Sequence, residues 1–189
     1  AGRGQAAVDE GARALQCGGM ANSARLDAAL AAAAAAAEGI RGSYRRNIGV
    51  RTKADGSPVT EADVAAEQAI RAIVQGRFPE DGFYGEESAA DRMDAECLWL
   101  VDPIDGTRAF ITGLPLWGTL IALNDGTGPV LGVMNQPFTG ERYVGTAAGA
   151  WLNGKPIRAR GCPNLAQARL MSTSPQLFDS PELLAAFES

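Results

Sequence analysis

The sequence predicts an α+β fold in which helices pack on one mostly antiparallel sheet. Three observations predict it: an alanine-dominated stretch from Ser23 to Arg46, a second helical pattern after Thr60, and then short apolar runs separated by glycine-rich turns. With 189 residues, 46% of them hydrophobic, the chain can bury a sizeable core, which argues against disorder.

The elements follow in order. The first nineteen residues lack the apolar core of a signal peptide and Met20 follows them, so residues 1–19 read as a disordered or non-native leader. From Ser23 to Arg46 the high helix propensity of alanine, with Leu26, Leu30 and Ile40 spaced through it, predicts one long helix, loosened at its end by Gly42 and Gly49. Asp55-Gly56-Ser57-Pro58 is turn chemistry. Thr60-Glu61-Ala62-Asp63 has the form of a capping box, after which Ala66, Ile70, Ile73 and Val74 share a face until Phe78-Pro79.

Beyond the polar segment Gly85 to Glu96, the runs Leu98–Val101, Leu116–Leu123, Val130–Met134 and Glu141–Ala150 read as strands. Asn124 to Gly128 and Asn153-Gly154 supply the turns that antiparallel neighbours need. Ser180-Pro181 is an N-cap followed by a first helical position, and Leu183, Leu184 and Phe187 begin an apolar face. That pattern is either a helix cut after about two turns or a short terminal helix docked on the sheet.

Composition narrows the chemistry. The chain has 17 Lys and Arg against 22 Asp and Glu, a net charge of −5, and no histidine. A Ser/His/Asp or Cys/His triad, a phosphohistidine and an imidazole zinc site are therefore excluded. An isoelectric point near 4.8 and the lack of a basic cluster argue against nucleic acid as a partner. No stretch approaches the roughly 18 apolar residues of a membrane span. Cys17, Cys97 and Cys162 form neither a disulfide framework nor a CxxC site, which suits a reducing, cytoplasmic setting.

Acidic residues collect around one expected strand, with Glu86 and Glu87 before it, Asp102 at its end and Asp105 in the turn beyond. A strand that delivers Asp102 into the Pro103-Ile104 turn brings Asp105 back beside it, and hard oxygen donors gathered this way suit Mg²⁺. Gly106-Thr107 lets the backbone approach an anion, so a helix starting there would turn free N–H groups toward a phosphate. Carboxylates for metal and amides for phosphate outline metal-assisted phosphoryl hydrolysis. Each piece alone has a plainer reading: a turn for Asp-Pro-x-Asp-Gly, a solvated loop for Gly85-Glu86-Glu87-Ser88, a helix cap for Asp63 and an ordinary surface position for Lys53.

Taken together, the segments Asp55 to Asp63, Gly85 to Ser88 and Asp102 to Thr107 resemble the inositol monophosphatase-like family of Mg²⁺-dependent, lithium-sensitive phosphatases, over a stretch from about Leu26 to the end. The resemblance implies the family's layered αβαβα sandwich, with residues 20–166 as its N-terminal α+β metal-phosphatase domain and residues 167–189 as the start of an incomplete C-terminal layer. Asp105 to Phe110, Gly118 to Leu123, Asn135-Gln136-Pro137 and Ser172 to Pro175 look most like the bacterial histidinol-phosphatase branch. An inositol monophosphatase or a broad sugar-phosphate phosphatase is the alternative within the family.

Carried over residue by residue, the resemblance implies that Glu86 binds a first metal and orients the attacking water, and that Asp102 bridges metals. It gives the Ile104 carbonyl and Asp105 as further ligands and the Gly106 and Thr107 amides as phosphate contacts, with the Thr107 hydroxyl near the water. Asp63 would support a third metal or polarise Thr107, Glu87 would be a neighbour, and Lys53 would assist near the phosphate. The family's C-terminal Trp-Asp or Tyr-Asp motif has no match after Ser172. The expectation is that the chain is the amino-terminal part of such an enzyme, weak or inactive by itself. A small phosphorylated substrate and a homodimer are implied, and an inactive module with an exposed apolar sheet face is the non-enzyme alternative.

Overall fold

The smallness of alanine sets how the first elements pack. The structure, a computed structural model, describes residues 19–169 and 180–188. The expected leader lies outside the described residues except for Gly19, as do residues 170–179 and 189 of the expected C-terminal layer. Helix α1 (Gly19–Ser43) buries Ala28, Ala29, Ala32, Ala33, Ala36 and Ile40. Methyl-sized side chains let both a second helix and the sheet come close to its axis. The helix stops just before Arg45, which takes a left-handed φ of 58°.

Strands β1 (Val50–Thr52) and β2 (Pro58–Thr60) form a small antiparallel pair on either side of the expected turn. Three-residue strands are too short to show a period. The turn itself is as expected: Asp55 Oδ1 accepts from Ser57 N at 2.9 Å and from Ser57 Oγ at 2.7 Å, and Gly56 sits at φ +83°. Helix α2 (Glu61–Arg77) then starts with the expected capping box, Asp63 Oδ2 accepting from Thr60 N at 2.8 Å while Thr60 Oγ1 accepts from Ala62 N and Asp63 N. Its face of Ala62, Ala66, Ile70 and Val74 joins the core.

Seven strands form the main sheet, in chain order across it: β3 (Gly82–Gly85), β4 (Leu98–Asp105), β5 (Gly118–Asn124), β6 (Pro129–Gln136), β7 (Glu141–Thr146), β8 (Gly149–Leu152) and β9 (Lys155–Ile157). Only β3 and β4 run parallel; every later pair is antiparallel. Several expected boundaries change: β4 runs on to Asp105, which the sequence puts in a turn beyond the strand, and β6 is longer than the expected Val130–Met134. The run Glu141–Ala150 is two strands, turning at Ala147-Ala148 so that Thr146 faces Gly149. Leu116 and Trp117 precede β5, with Leu116 74% exposed. Asn153 and Gly154, both at positive φ, close the expected two-residue hairpin between Leu152 and Lys155.

Alternation along the strands gives the sheet two unlike faces. Trp99, Val101, Ile121, Leu123, Leu131 and Val133 are buried with α1 and α2. The opposite face carries Leu100, Leu120, Met134 and Tyr143, and with Tyr84 they line an open concavity of about 790 Å³. The helical layer is fastened by a polar contact at one end: Arg25 grips Asp81 with two bonds of 2.7 and 2.9 Å, and Trp99 Nε1 donates to the same carboxylate at 3.0 Å.

The chain divides into two compact units, one through Ile157 and one from Arg158. The second holds a 3₁₀ turn (Leu165–Gln167) and helix α4 (Pro181–Glu188), where Ser180 Oγ accepts from Leu183 N at 3.2 Å. Among the described residues no helix is long and apolar enough to cross a membrane.

The cap at Thr60 starts α2 and also fixes Asp63, so its loss is measurable. Thr60→Ala is expected to cost about 1 kcal/mol, read as a fall in Tm of about 2–4 °C in a thermal melt, while Thr60→Ser keeps most of the stability.

Candidate active site

A bulge at the end of β4 makes the site. Asp102 pairs with Leu120 and Asp105 with Gly118, so the β4 segment is longer than the β5 segment it faces. A bulge of this kind bends its strand and re-aims side chains. Thr119 Oγ1 donates to the Pro103 carbonyl at 2.9 Å and holds the bend from beneath. Because β3 runs parallel to β4, with Gly85 opposite Val101, the residues after Gly85 emerge at the same end as Asp102. Glu86 reaches Asp102 by this route.

The electrostatics follow from that placement. Asp102 Oδ1 is buried and has no hydrogen-bond partner. Burial pushes the Asp102 carboxyl up to about 8, and the charges of Glu86 and then Asp105 push in the same direction. Lys53, in the loop between β1 and β2, reaches Glu86 Oε1 at 2.8 Å and Glu87 Oε1 at 2.7 Å. Burial opposes the charge on Lys53, yet its hydrogen bonds to the two glutamates outweigh burial and raise its pKa. Burial also raises Glu87, against the pull of Lys53. Lys53 is thus no ordinary surface lysine.

A second group of residues adjoins the first. Gly106, at φ +85°, precedes helix α3 (Thr107–Thr112), and Phe110 N donates to the Gly106 carbonyl at 3.0 Å. A Cβ on Gly106 would stand 2.5 Å from the Leu116 carbonyl oxygen, so only glycine fits both the space and the conformation. Thr107 Oγ1 lies 3.0 Å from the Ile104 carbonyl oxygen and 3.4 Å from Asp63 Oδ1. Burial raises the Asp63 carboxyl, while its bonds from Thr60 draw it back down.

Sequence reasoning missed two supports. Glu67 is buried, four residues after Asp63 on the same face of α2. It accepts from Glu87 N at 2.7 Å and from the Ser88 hydroxyl, and Gly85 has no Cβ to obstruct its carboxylate. The spacing Asp63-x-x-x-Glu67 within an otherwise apolar face was the available signal. The other support is at the far end of α3, where Tyr44 and Arg45 converge on the Gly113 carbonyl: Tyr44 OH at 2.7 Å, Arg45 Nε at 3.2 Å and Arg45 Nη2 at 3.0 Å. Tyr44 also packs within 5.4 Å of Phe110 and 5.0 Å of Trp117, ring centre to centre. These contacts join residues far apart in the chain and leave no periodic trace in it.

Can these residues hold a metal? Among the described residues, no three carboxylates or thiols close on one another as a finished cage. Carboxylates of like charge do not converge without a counter-charge, and the Lys53 ammonium takes that part for Glu86 and Glu87. The unpartnered Asp102 oxygen, which feels the charges of Glu86 and Asp105, nevertheless fits a hard divalent cation.

A bulged strand end that gathers carboxylates beside a short helix defines an acidic, oxygen-donor site on an α+β scaffold. The chain belongs to the inositol monophosphatase family, whose sequence pattern matches residues 21–184. Enzymes of this family are metal-dependent. The bifunctional phosphatase IMPL2 of the Arabidopsis thaliana chloroplast is 44% identical over 78% of this chain and 44% of its own length. A histidinol-phosphatase from Chlorobaculum parvum is 41% identical over 72% of this chain and 54% of its own. An inositol monophosphatase from Zymomonas mobilis superposes with a TM-score of 0.74 at 47% identity, over 87% of this chain and 63% of that one. The chain spans about half the length of the curated relatives it matches.

Two substitutions test this geometry without any assay of turnover. The folded Asp102 value lies above the ordinary 3.8, so its protonated form contributes stability that is complete below about pH 4 and is lost as pH rises through about 8. In protein treated with EDTA, Asp102→Asn is expected to raise Tm near pH 8.5 by about 2–4 °C and to flatten the fall between pH 4 and 8. Gly106→Ala is expected to destabilise by more than about 1 kcal/mol, through left-handed strain and the clash with Leu116, as denaturant melts would show.

Proposed function

We propose that this chain carries the metal- and phosphate-binding part of a Mg²⁺-dependent phosphomonoesterase, with L-histidinol phosphate as its substrate. The single observation behind it is the buried, unpartnered Asp102 oxygen flanked by Glu86 and Asp105 at the start of α3. Glu86, Asp102, Asp105 and the Ile104 carbonyl would hold Mg²⁺. Bound there, the ion would neutralise phosphate charge and make water a better nucleophile at neutral pH.

The chain's own groups do the rest. The Thr107 hydroxyl donates toward the Ile104 carbonyl and Asp63 Oδ1, which leaves its oxygen free to accept from the attacking water and orient it. The Gly106 and Thr107 amides, at the start of α3, face the phosphate oxygens. Lys53 sets the position of Glu86 through their hydrogen bond and would add positive charge near the phosphoryl group under attack. Glu67 keeps the Glu86-Glu87-Ser88 loop against α2, so that Glu86 is presented at a fixed angle.

The choice of histidinol phosphate rests on the histidinol-phosphatase relative and on the segments around Asp105 and Asn135. The inositol phosphate reading has its own support, because inositol monophosphatase 3 of Solanum lycopersicum is 37% identical over 77% of this chain. A homodimer and a cytoplasmic setting complete the proposal, the latter supported by the free thiols of Cys97 and Cys162.

The test is phosphate release by the product of the gene that encodes this chain. With Mg²⁺, kcat/KM for L-histidinol phosphate is expected to exceed that for inositol 1-phosphate by at least about tenfold, a 1.4 kcal/mol preference. EDTA should abolish both. Asp102→Asn should cost more than the roughly 100-fold typical of outer partners of a metal. Unchanged turnover in that variant would sink the mechanism, and faster turnover of inositol phosphate would move the substrate to the second reading.

A further inference from the structure

A second charged pocket lies apart from the acidic site, between the C-terminal half of α1, the end of β6 and the start of β7. Its volume is about 290 Å³, and its lining includes Ala37, Arg41, Asn135, Arg142 and Asn153. None of these belongs to the residues around Asp102. Arg142 pairs across the sheet with Asn135, and its Nε donates to Asn135 Oδ1 at 3.0 Å. Its backbone N–H donates to Asn153 Oδ1 at 2.9 Å, and Asn153 Nδ2 in turn donates to the Gly140 carbonyl at 3.0 Å. Arg142 is therefore fixed by neutral amides.

Two guanidinium groups share this small pocket, and among the described residues neither has a carboxylate within ion-pair distance. Arg41 stands in the last turn of α1, where the negative helix end favours a cation. Nothing comparable favours Arg142. Its guanidinium is half-buried, and burial alone pulls its pKa below the ordinary value with no acid to restore it. Bringing a second like charge into the same pocket adds to that cost unless an anion stands between them. In a chain with a net charge of −5, carboxylates are plentiful, and this pocket has none in its lining.

The walls are set before any ligand arrives. Gln136 Oε1 accepts from Phe138 N at 2.6 Å and from Thr139 N at 3.1 Å, which fixes the turn after β6, and Gln136 Nε2 donates to the Pro115 carbonyl at 2.9 Å. Among the described residues no protein acceptor meets the two terminal nitrogens of Arg142, and a guanidinium fork matches two oxygens of one phosphate.

We propose that this pocket is a binding site for a small phosphate-bearing anion, separate from the acidic site. Its volume suits a compact ligand, close to the lower bound of ordinary small-molecule sites. The two arginines supply the charge, and Asn135 and Asn153 hold Arg142 in place.

Calorimetric titration of the encoded protein with inorganic phosphate, in EDTA and at low ionic strength, tests the assignment. In EDTA no divalent ion is present to hold phosphate beside Glu86, Asp102 and Asp105, and the arginine variants locate the binding. Saturable binding is expected, weakened about tenfold or more by Arg142→Gln and by Arg41→Gln and left in place by Asp102→Asn. Arg41 is exposed on a helix, so its variant remains decisive if Arg142→Gln lowers stability. No saturable binding, or binding that neither arginine variant weakens, overturns the proposal.

Discussion

The burial of the Asp102 carboxyl beside Glu86 and Asp105 is the constraint around which the rest of this molecule is arranged. Carboxylates brought to one strand end oppose folding, and the burial of Asp102 adds to the opposition. The fold offsets this with contacts elsewhere. The alanine face of α1 brings two helices and the sheet close together, and Lys53 sets one positive charge against Glu86 and Glu87. Strain at a site, held by a well-packed scaffold, is a common arrangement where a protein must bind charge.

Position in that site comes from backbone devices more than from the acidic side chains. The bulge between Asp102 and Asp105 redirects both, and Gly106 turns the chain where no side chain would fit. Helix α3 is only six residues long, too short to hold itself in place. It is clamped at its far end by Tyr44 and Arg45 on the Gly113 carbonyl, so the long first helix reaches the site through the turn that follows it. The capping box of α2 does two things at once: it starts the helix, and it aims Asp63 at Thr107.

The two faces of the sheet divide the labour. One is closed over by α1 and α2 and provides rigidity. The other is apolar and open, with Tyr84, Leu100, Met134 and Ile157 each more than a third exposed, and Glu86 and Asp102 stand at its margin. An acidic cluster beside an apolar concavity can discriminate a ligand by its charged group and by its body together.

Much of this was legible in the sequence because it is local. The capping box, the Asx turn at Asp55, the Asn153-Gly154 hairpin, the two long helices and the alternating strands each depend on residues within a few positions of one another. The grouping of Asp102 with Asp105 is legible from their three-residue separation, although a bulge within β4 rather than a turn brings it about, and that of Glu86 with both followed only from the resemblance. Tertiary structure alone decided the parallel pairing of β3 with β4, which delivers Glu86, and the partners of Lys53, Glu67, Tyr44 and Arg142. Each of those pairings joins segments whose separation along the chain carries no periodic signal; burial and register decide them, and these arise only when the sheet has formed.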